Sequence, residues 1–218
     1  EFLEEEGLVT LDYSFSKVWI GEKRITKEDI LSGAKEVSSE KEALARKIDV
    51  AIFDSELALE RARENNLIEN KKVEIVYPPI NIGTISKIKS EKGEYFLYPS
   101  RINNPKRQDI LIKSWKEFVK RHPSERLIIA GSSENKDYLN KIIFLAKQTK
   151  NVEVKTDLSD KELINLYQNS KAVIFIPFME DFGIVPFEAM AFGKPLIAMN
   201  KGGYVKLIED VPQYYKIE

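Results

Sequence analysis

Two carboxylates, Glu180 and Glu188, stand with seven residues between them in the stretch Glu180 to Gly203, EDFGIVPFEAMAFGKPLIAMNKGG. Phe182 and Gly183 lie between them, and a glycine there lets a ligand come close to the backbone. Pro186 suits the first turn of a helix, where its missing N–H costs nothing. The free N–H groups around Ile184 would then face a polar or anionic ligand. With Glu180 in the loop and Glu188 on the helix, the pair can grip two parts of one elongated molecule. A carboxylate accepts from two vicinal hydroxyls at once, so a hydroxyl-rich ligand suits them. Taken singly, Glu180 reads more readily as a solvated loop acid and Glu188 as an acid favoured by the helix dipole; the whole string shifts the balance to a ligand. The second constellation is Ser100-Arg101, followed by Lys106-Arg107. Arg101 follows an apolar stretch, and Lys106 is expected to open the next helix. An Arg fork and a Lys point charge suit a diphosphate, although such residues alone also make an exposed basic turn.

These groups need a frame that brings them to one edge. From about residue 94, apolar strands alternate with amphipathic helices. The expected strands are Tyr95 to Pro99, Arg126 to Gly131, Val152 to Lys155, Ala172 to Ile176 and Pro195 to Met199. Between them, helices are expected from about Asp109 to Arg121, through Leu139, Ile142, Ile143 and Ala146, after a capping box at Ser159 and Glu162, and from Val185 to Phe192. Strands apolar on both sides, alternating with helices, predict an α/β fold, with a parallel sheet covered by helices on both faces. Such sheets bind ligands at the carboxyl ends of their strands, where Arg101, Gly131, Thr156, Glu180 and Gly202 all fall.

Before residue 86 the pattern thins. Asp49 to Phe53 and Lys72 to Tyr77 read as strands, and Ser55 can cap a helix running to about Asn65. A second capping box spans Ser39 to Glu42, but residues 10–48 find no place in a sheet. The charged run Lys87 to Gly93, KIKSEKG, is the expected linker. The expected organisation is a partial domain over 1–86, a linker over 87–93 and a ligand-binding domain over 94–218.

Composition excludes several chemistries. Lys and Arg total 34 against 35 Asp and Glu, which argues against a nucleic-acid partner. Without cysteine there is no disulfide framework, thiolate metal site or Cys nucleophile. The single histidine, His122, lies in KRHP at the end of a basic helix, so a His triad or metal cluster is unsupported. No G-x-G-x-x-G follows a strand, which removes the dehydrogenase reading, and no P-loop is present. No D-x-D pair offers to carry a divalent metal to phosphates. The longest apolar run, Ala172 to Met179, is too short to span a bilayer, and the acidic start EFLEEEGLV lacks a signal peptide's basic region. A cytoplasmic protein is expected.

The E-x7-E string EDFGIVPFEAMAFGKPLIA resembles the donor signature of retaining GT-B glycosyltransferases of the glycosyltransferase group 1 type, family 4. SRINNPKRQDILIKSW resembles their Arg/Lys diphosphate motif, and NVEVKTDLSDKELINLYQNSKAVIFIP their nucleotide-side segment. DVAIFDSELALERA and VEIVYPPI resemble the stretch that ends the first domain of the family. The resemblance covers roughly residues 49–210, and its wording is closest to mannosyltransferase-like members of polysaccharide assembly. It implies a Rossmann-like donor domain, the C-terminal half of a GT-B enzyme, behind a partial N-terminal domain. Arg101 and Lys106 would hold the diphosphate and offset charge on the leaving group. Glu180 would bind the sugar hydroxyls, with backbone N–H groups at Phe182, Gly183 and Ile184, and Glu188 would bind the ribose. The backbone near Lys155 would meet the base, and Gly131 would let the chain pass close to the nucleotide. Thr156 departs from the family, in which glycine is common there. No metal or cofactor is implied. The donor would be a UDP-, GDP- or ADP-sugar, and the acceptor a glycan or lipid-linked molecule met at the inner face of a membrane through a peripheral contact. The first half of the family's N-terminal domain and its usual tail have no counterpart, so this chain is expected to bind donor and to transfer sugar poorly alone. Two other readings stand beside transfer: a non-catalytic nucleotide-sugar-binding module and an epimerase.

Overall fold

A computed structural model describes residues 18–20, 23–25, 50–64, 68, 72–80, 93–178, 180–212 and 214–217. The expected capping box from Ser39 to Glu42, and all of the expected linker but Gly93, lie outside those residues. The chain divides into two compact units, Glu1–Ala51 with Ala62–Glu74, and Ile52–Arg61 with Ile75–Glu218. Ser55, Arg61 and Tyr77 therefore belong to the same unit as the strands that carry the candidate site.

In the first unit, β1 (Val18–Ile20) and β2 (Lys23–Ile25) form an antiparallel pair. The sequence reading left residues 10–48 out of any sheet, because three-residue strands are too short to show an alternation. Shared between the two units are β3 (Val50–Phe53), the helix α1 (Glu56–Glu64) and β4 (Lys72–Ile75), with β3 and β4 paired as a two-stranded sheet. Ser55 starts α1 as expected: its Oγ accepts from the Ala58 N–H at 3.1 Å.

The second unit contains β5 (Tyr95–Pro99), a 3-10 turn (Asn104–Lys106), α2 (Gln108–Arg121), β6 (Leu127–Ala130) and α3 (Lys136–Lys147). It continues through β7 (Val152–Lys155), α4 (Asp160–Gln168), β8 (Ser170–Phe175), α5 (Ile184–Ala191), β9 (Leu196–Met199), α6 (Val205–Ile208) and β10 (Tyr214–Ile217). Six strands form one parallel sheet in the order β10-β9-β8-β5-β6-β7. Five were expected. The sixth, β10, escaped the hydrophobic pattern because it lies on the sheet edge, with Tyr215 59% exposed and Ile217 38% exposed.

Both faces of the sheet are covered, as the unbroken apolar strands require. Successive residues of a strand point to opposite faces, so Leu97, Ile128, Val173 and Phe175 pack with α4, α5 and α6. Their neighbours Tyr98, Leu127, Ile129 and Ile174 pack with α2 and α3, against Leu111, Trp115 and Ile142. Each wholly buried Leu or Ile contributes roughly 1.5–3 kcal/mol. This burial fixes the strand ends, and so fixes what stands on them.

The strand order has a functional consequence. β5 comes first in the sheet, β6 and β7 extend it to one side, and β8 to β10 extend it to the other. The chain reverses its direction of building between β5 and β8. At such a switch point the loops leaving the two strands turn apart and open a crevice at their carboxyl ends.

Candidate functional site

One wall of the crevice is the turn after β5. Wholly buried Gln108 donates from Nε2 to the Arg101 carbonyl at 2.8 Å, so the main chain at Arg101 is pinned while its side chain stays exposed. Asn103 caps the 3-10 turn, accepting from the Lys106 N–H at 3.3 Å. Lys106 closes that turn rather than opening α2, contrary to the sequence expectation. Arg107 interrupts the run with a left-handed φ of 58°, and the α-helix starts only at Gln108. The Tyr98 hydroxyl donates to the Lys106 carbonyl. Burial holds that hydroxyl above the ordinary tyrosine range, so it stays a donor.

The other wall is the loop from β8 to α5, and the two walls are joined. The Phe178 N–H donates to the Pro105 carbonyl at 2.7 Å. The Lys106 ammonium pairs with the Glu180 carboxylate, the two side chains being 15% and 18% exposed. The same ammonium lies 5.7 Å from the centre of the Phe175 ring. Two residues assigned from separate motifs, 74 positions apart, thus meet at the switch point.

Gly183 begins α5 with a φ of 87°, and a Cβ there would lie 2.7 Å from the Tyr204 ring. Backbone conformation and space both demand glycine at this position. No side chain caps α5, so its first N–H groups are not taken up by a cap. Phe182 is buried and stacks on Phe187 at 5.1 Å, while the Ile184 side chain is exposed. On α5 itself, one oxygen of Glu188 accepts from the Tyr167 hydroxyl at 2.6 Å. Burial first, and then the Glu188 charge, hold that hydroxyl well above its ordinary range. The second carboxylate oxygen is oriented by the first.

Gly131 and Lys155 have additional reasons to be what they are. A Cβ on Gly131 would lie 2.1 Å from the Ser100 carbonyl oxygen, so the close approach that glycine permits is that of β5 to β6. The Gly131 N–H donates to the Lys155 carbonyl at 3.0 Å, and the Lys155 side chain pairs with Glu153 at 2.7 Å. The frame sets these residues in a row, with Glu180 after β8, Arg101 after β5, Gly131 after β6 and Lys155 ending β7. Strands about 4.8 Å apart make this row roughly 14 Å long.

The sequence reading missed three contacts around Glu180. Ser55 Oγ, besides capping α1, donates to the Asp181 carbonyl at 2.6 Å. Arg61 pairs with the Asp181 carboxylate. Tyr77 stacks on Phe182 at 6.0 Å. Only the cap was visible in the sequence, because the other contacts join segments more than 100 residues apart and follow no local periodicity. A cavity of about 370 Å³ lies beside Glu180, walled by Met199, Lys201 and Gly202 on one side and by Glu60, Arg61 and Tyr77 on the other. Among the described residues no three His, Asp or Glu side chains gather as a metal cluster, and no helix is long and apolar enough to cross a membrane.

Comparison with known proteins gives a consistent picture. The model of the family described as "Glycosyl transferases group 1" matches residues 84–213. The chain is 29% identical over 163 residues to the alpha-1,3/1,6-mannosyltransferase ALG2 of Mus musculus, a match covering 65% of this chain and 39% of that relative. It is 30% identical over 113 residues to the uncharacterized glycosyltransferase MJ1607 of Methanocaldococcus jannaschii, covering 52% of this chain and 29% of that one. The chain thus spans well under half the length of either relative. Among solved structures, TarM superposes with a TM-score of 0.67 at 24% identity, covering 84% of this chain and 36% of TarM.

Proposed function

The chain belongs to the glycosyl transferases group 1 family, and from that premise we propose that it provides the donor side of a hexosyl transfer. The donor is a nucleotide-diphosphate sugar, and the acceptor is a glycan or lipid-linked molecule. Transfer proceeds with retention at the anomeric carbon and without a divalent metal. Mannose is the sugar to try first, since the mouse relative is named a mannosyltransferase. The observation that carries the reading is the Lys106–Glu180 pair at the switch point. It sets a cation suited to phosphate against an acid suited to sugar hydroxyls, as the junction between diphosphate and hexose demands.

Each residue then has a task. Arg101 and Lys106 grip the diphosphate. As the anomeric C–O bond breaks, negative charge grows on the departing diphosphate, and the N–H donors of Arg101 and Lys106 stabilise it. An ammonium has three N–H bonds, so Lys106 can serve the phosphate while keeping its bond to Glu180. The Glu180 carboxylate and the uncapped N–H groups at Gly183 and Ile184 take the sugar hydroxyls. The free oxygen of Glu188 takes the ribose, and the backbone near Lys155 meets the base. A lipid-linked acceptor would be met at the inner face of a membrane through a peripheral contact. Calorimetry with GDP-mannose, UDP-glucose and ADP-glucose, with and without EDTA, tests the reading. Binding of one donor unaltered by EDTA is expected, and a strict Mg²⁺ or Mn²⁺ requirement would overturn the metal-independent mechanism.

A further inference from the structure

We propose that Ser55 and Arg61 are positioning residues for the sugar-binding acid, acting through Asp181 to set where Glu180 stands. The inference rests on the reading of Glu180 given above. Glu180 to Gly183 form a loop between β8 and α5 with no regular structure of its own. The shape of such a loop is set by what its main chain is bonded to. Two of its consecutive carbonyls are held from outside. The Glu180 carbonyl accepts from the Gly203 N–H at 3.2 Å, and the Asp181 carbonyl from Ser55 Oγ at 2.6 Å.

Ser55 is wholly buried, so its hydroxyl is held away from solvent, and removing it takes a partner from the Asp181 carbonyl. The three segments converge tightly. A Cβ on Gly203 would lie 1.7 Å from the Asp181 carbonyl oxygen and 2.7 Å from Ser55 Cβ. Arg61 grips the side chain of the same residue, but its own side chain is 30% exposed and that of Asp181 53% exposed, so solvent weakens this pair. The buried hydroxyl therefore fixes the position of the loop, and the guanidinium steadies its direction. Tyr77, stacked on Phe182, braces the next residue along. Displacing a binding group by about 1 Å can cost on the order of a hundredfold in rate, so small movements of this loop reach the chemistry.

The test measures dissociation constants of GDP and GDP-mannose (UDP and UDP-glucose if the wild-type protein prefers them) and their ratio, together with thermal melting. Ser55→Ala should weaken the sugar nucleotide about tenfold and leave the nucleoside diphosphate within twofold. Arg61→Met and Asp181→Asn, which both spare the α1 cap, should each weaken the sugar nucleotide about threefold. The two together should do no worse than either alone, and Arg61→Lys should restore most of the loss. Equal losses for both ligands, or an unchanged ratio in all variants, would overturn the proposal, since a merely structural role lowers both affinities together. Glu180→Gln, measured alongside, separates the two ideas. If it leaves the ratio at the wild-type value, the reading of Glu180 fails. If it lowers the ratio while the Ser55 and Arg61 variants do not, the positioning role alone fails.

Discussion

Replacing Lys106 by Met leaves the Glu180 carboxylate without its cation in a place where it is only 18% exposed. The cost lies between two limits. Exposed pairs are worth about 0.2–1 kcal/mol, and stripping one partner from a fully buried pair costs about 3–5 kcal/mol. With both side chains mostly but not wholly covered, about 2 kcal/mol is expected for Lys106→Met. In a chain of this size each kcal/mol moves Tm by about 2–4 °C, so the variant should melt roughly 4–8 °C lower. Glu180→Gln removes the charge that Lys106 was compensating, so the double variant should melt near the single ones, with a coupling of about 1–2 kcal/mol. The assay is thermal denaturation of the wild type, both single variants and the double variant, repeated with GDP and GDP-mannose. With ligand, Lys106→Met should weaken both compounds, because on the proposed reading the diphosphate they share loses a donor. Glu180→Gln should leave GDP within twofold and weaken only GDP-mannose. Strictly additive melting losses would refute the claim that the two side chains form one unit. Equal effects of Glu180→Gln on both ligands would refute the division of labour between phosphate and sugar.

Arg101→Ala should weaken GDP about 10- to 150-fold, the value of one charge-assisted contact of about 1.5–3 kcal/mol, and leave guanosine unchanged by calorimetry; equal losses for both would remove Arg101 from the phosphates. Glu188→Gln should weaken GDP and GDP-mannose alike, because the proposed ribose contact is common to both, whereas Tyr167→Phe removes only the orienting bond and should cost about 1 kcal/mol of stability with little effect on affinity. A Glu188→Gln variant that discriminated between the two ligands would contradict this. Gly131→Ala forces main chain apart at a contact of 2.1 Å. Overpacking of about 1–3 kcal/mol, plus strain on the bond from the Ser100 N–H to the Ala130 carbonyl, should lower the stability in urea by roughly 2–4 kcal/mol; a wild-type midpoint would show that the strand ends part freely.

What could be read from the residues followed burial. The strands β5 to β9 and the helices α2 to α5 show themselves because a parallel sheet covered on both faces needs continuous apolar strands and one-sided helices. The capping box at Ser159 and Glu162 marks its helix start by local chemistry alone. The edge strand β10 is half exposed and carries no such pattern. Lys106 was placed one element too late because Pro105 and the left-handed Arg107 split what reads as a single helix start. Residue type and spacing singled out Lys106, Glu180 and Gly183, and the fold brings Lys106 against Glu180 and gives Gly183 a left-handed backbone. The hold of Ser55 and Arg61 on Asp181 was not legible, since it depends on where the fold returns a helix from far earlier in the chain. The second reason for Gly131 was also hidden: the volume its missing side chain frees is taken by the main chain of Ser100.

The order of the strands decides which motions a bound nucleotide can suppress. Lys106 and Glu180 hang from β5 and β8, which are paired with each other inside the sheet, whereas β10 and β7 form its borders. A ligand bridging the two residues is lost whenever β5 and β8 part, and keeps its grip while β10 frays. The stabilisation such a ligand brings by mass action, about 2.7 kcal/mol at a hundred times Kd, is therefore added to the opening of the sheet interior and not to that of its border. Amide hydrogens of β5 and β8 should slow their exchange with solvent together when donor is added, while those of Tyr214–Ile217 keep their own pace. The switch point thus turns a local binding event into protection of the most interior strands.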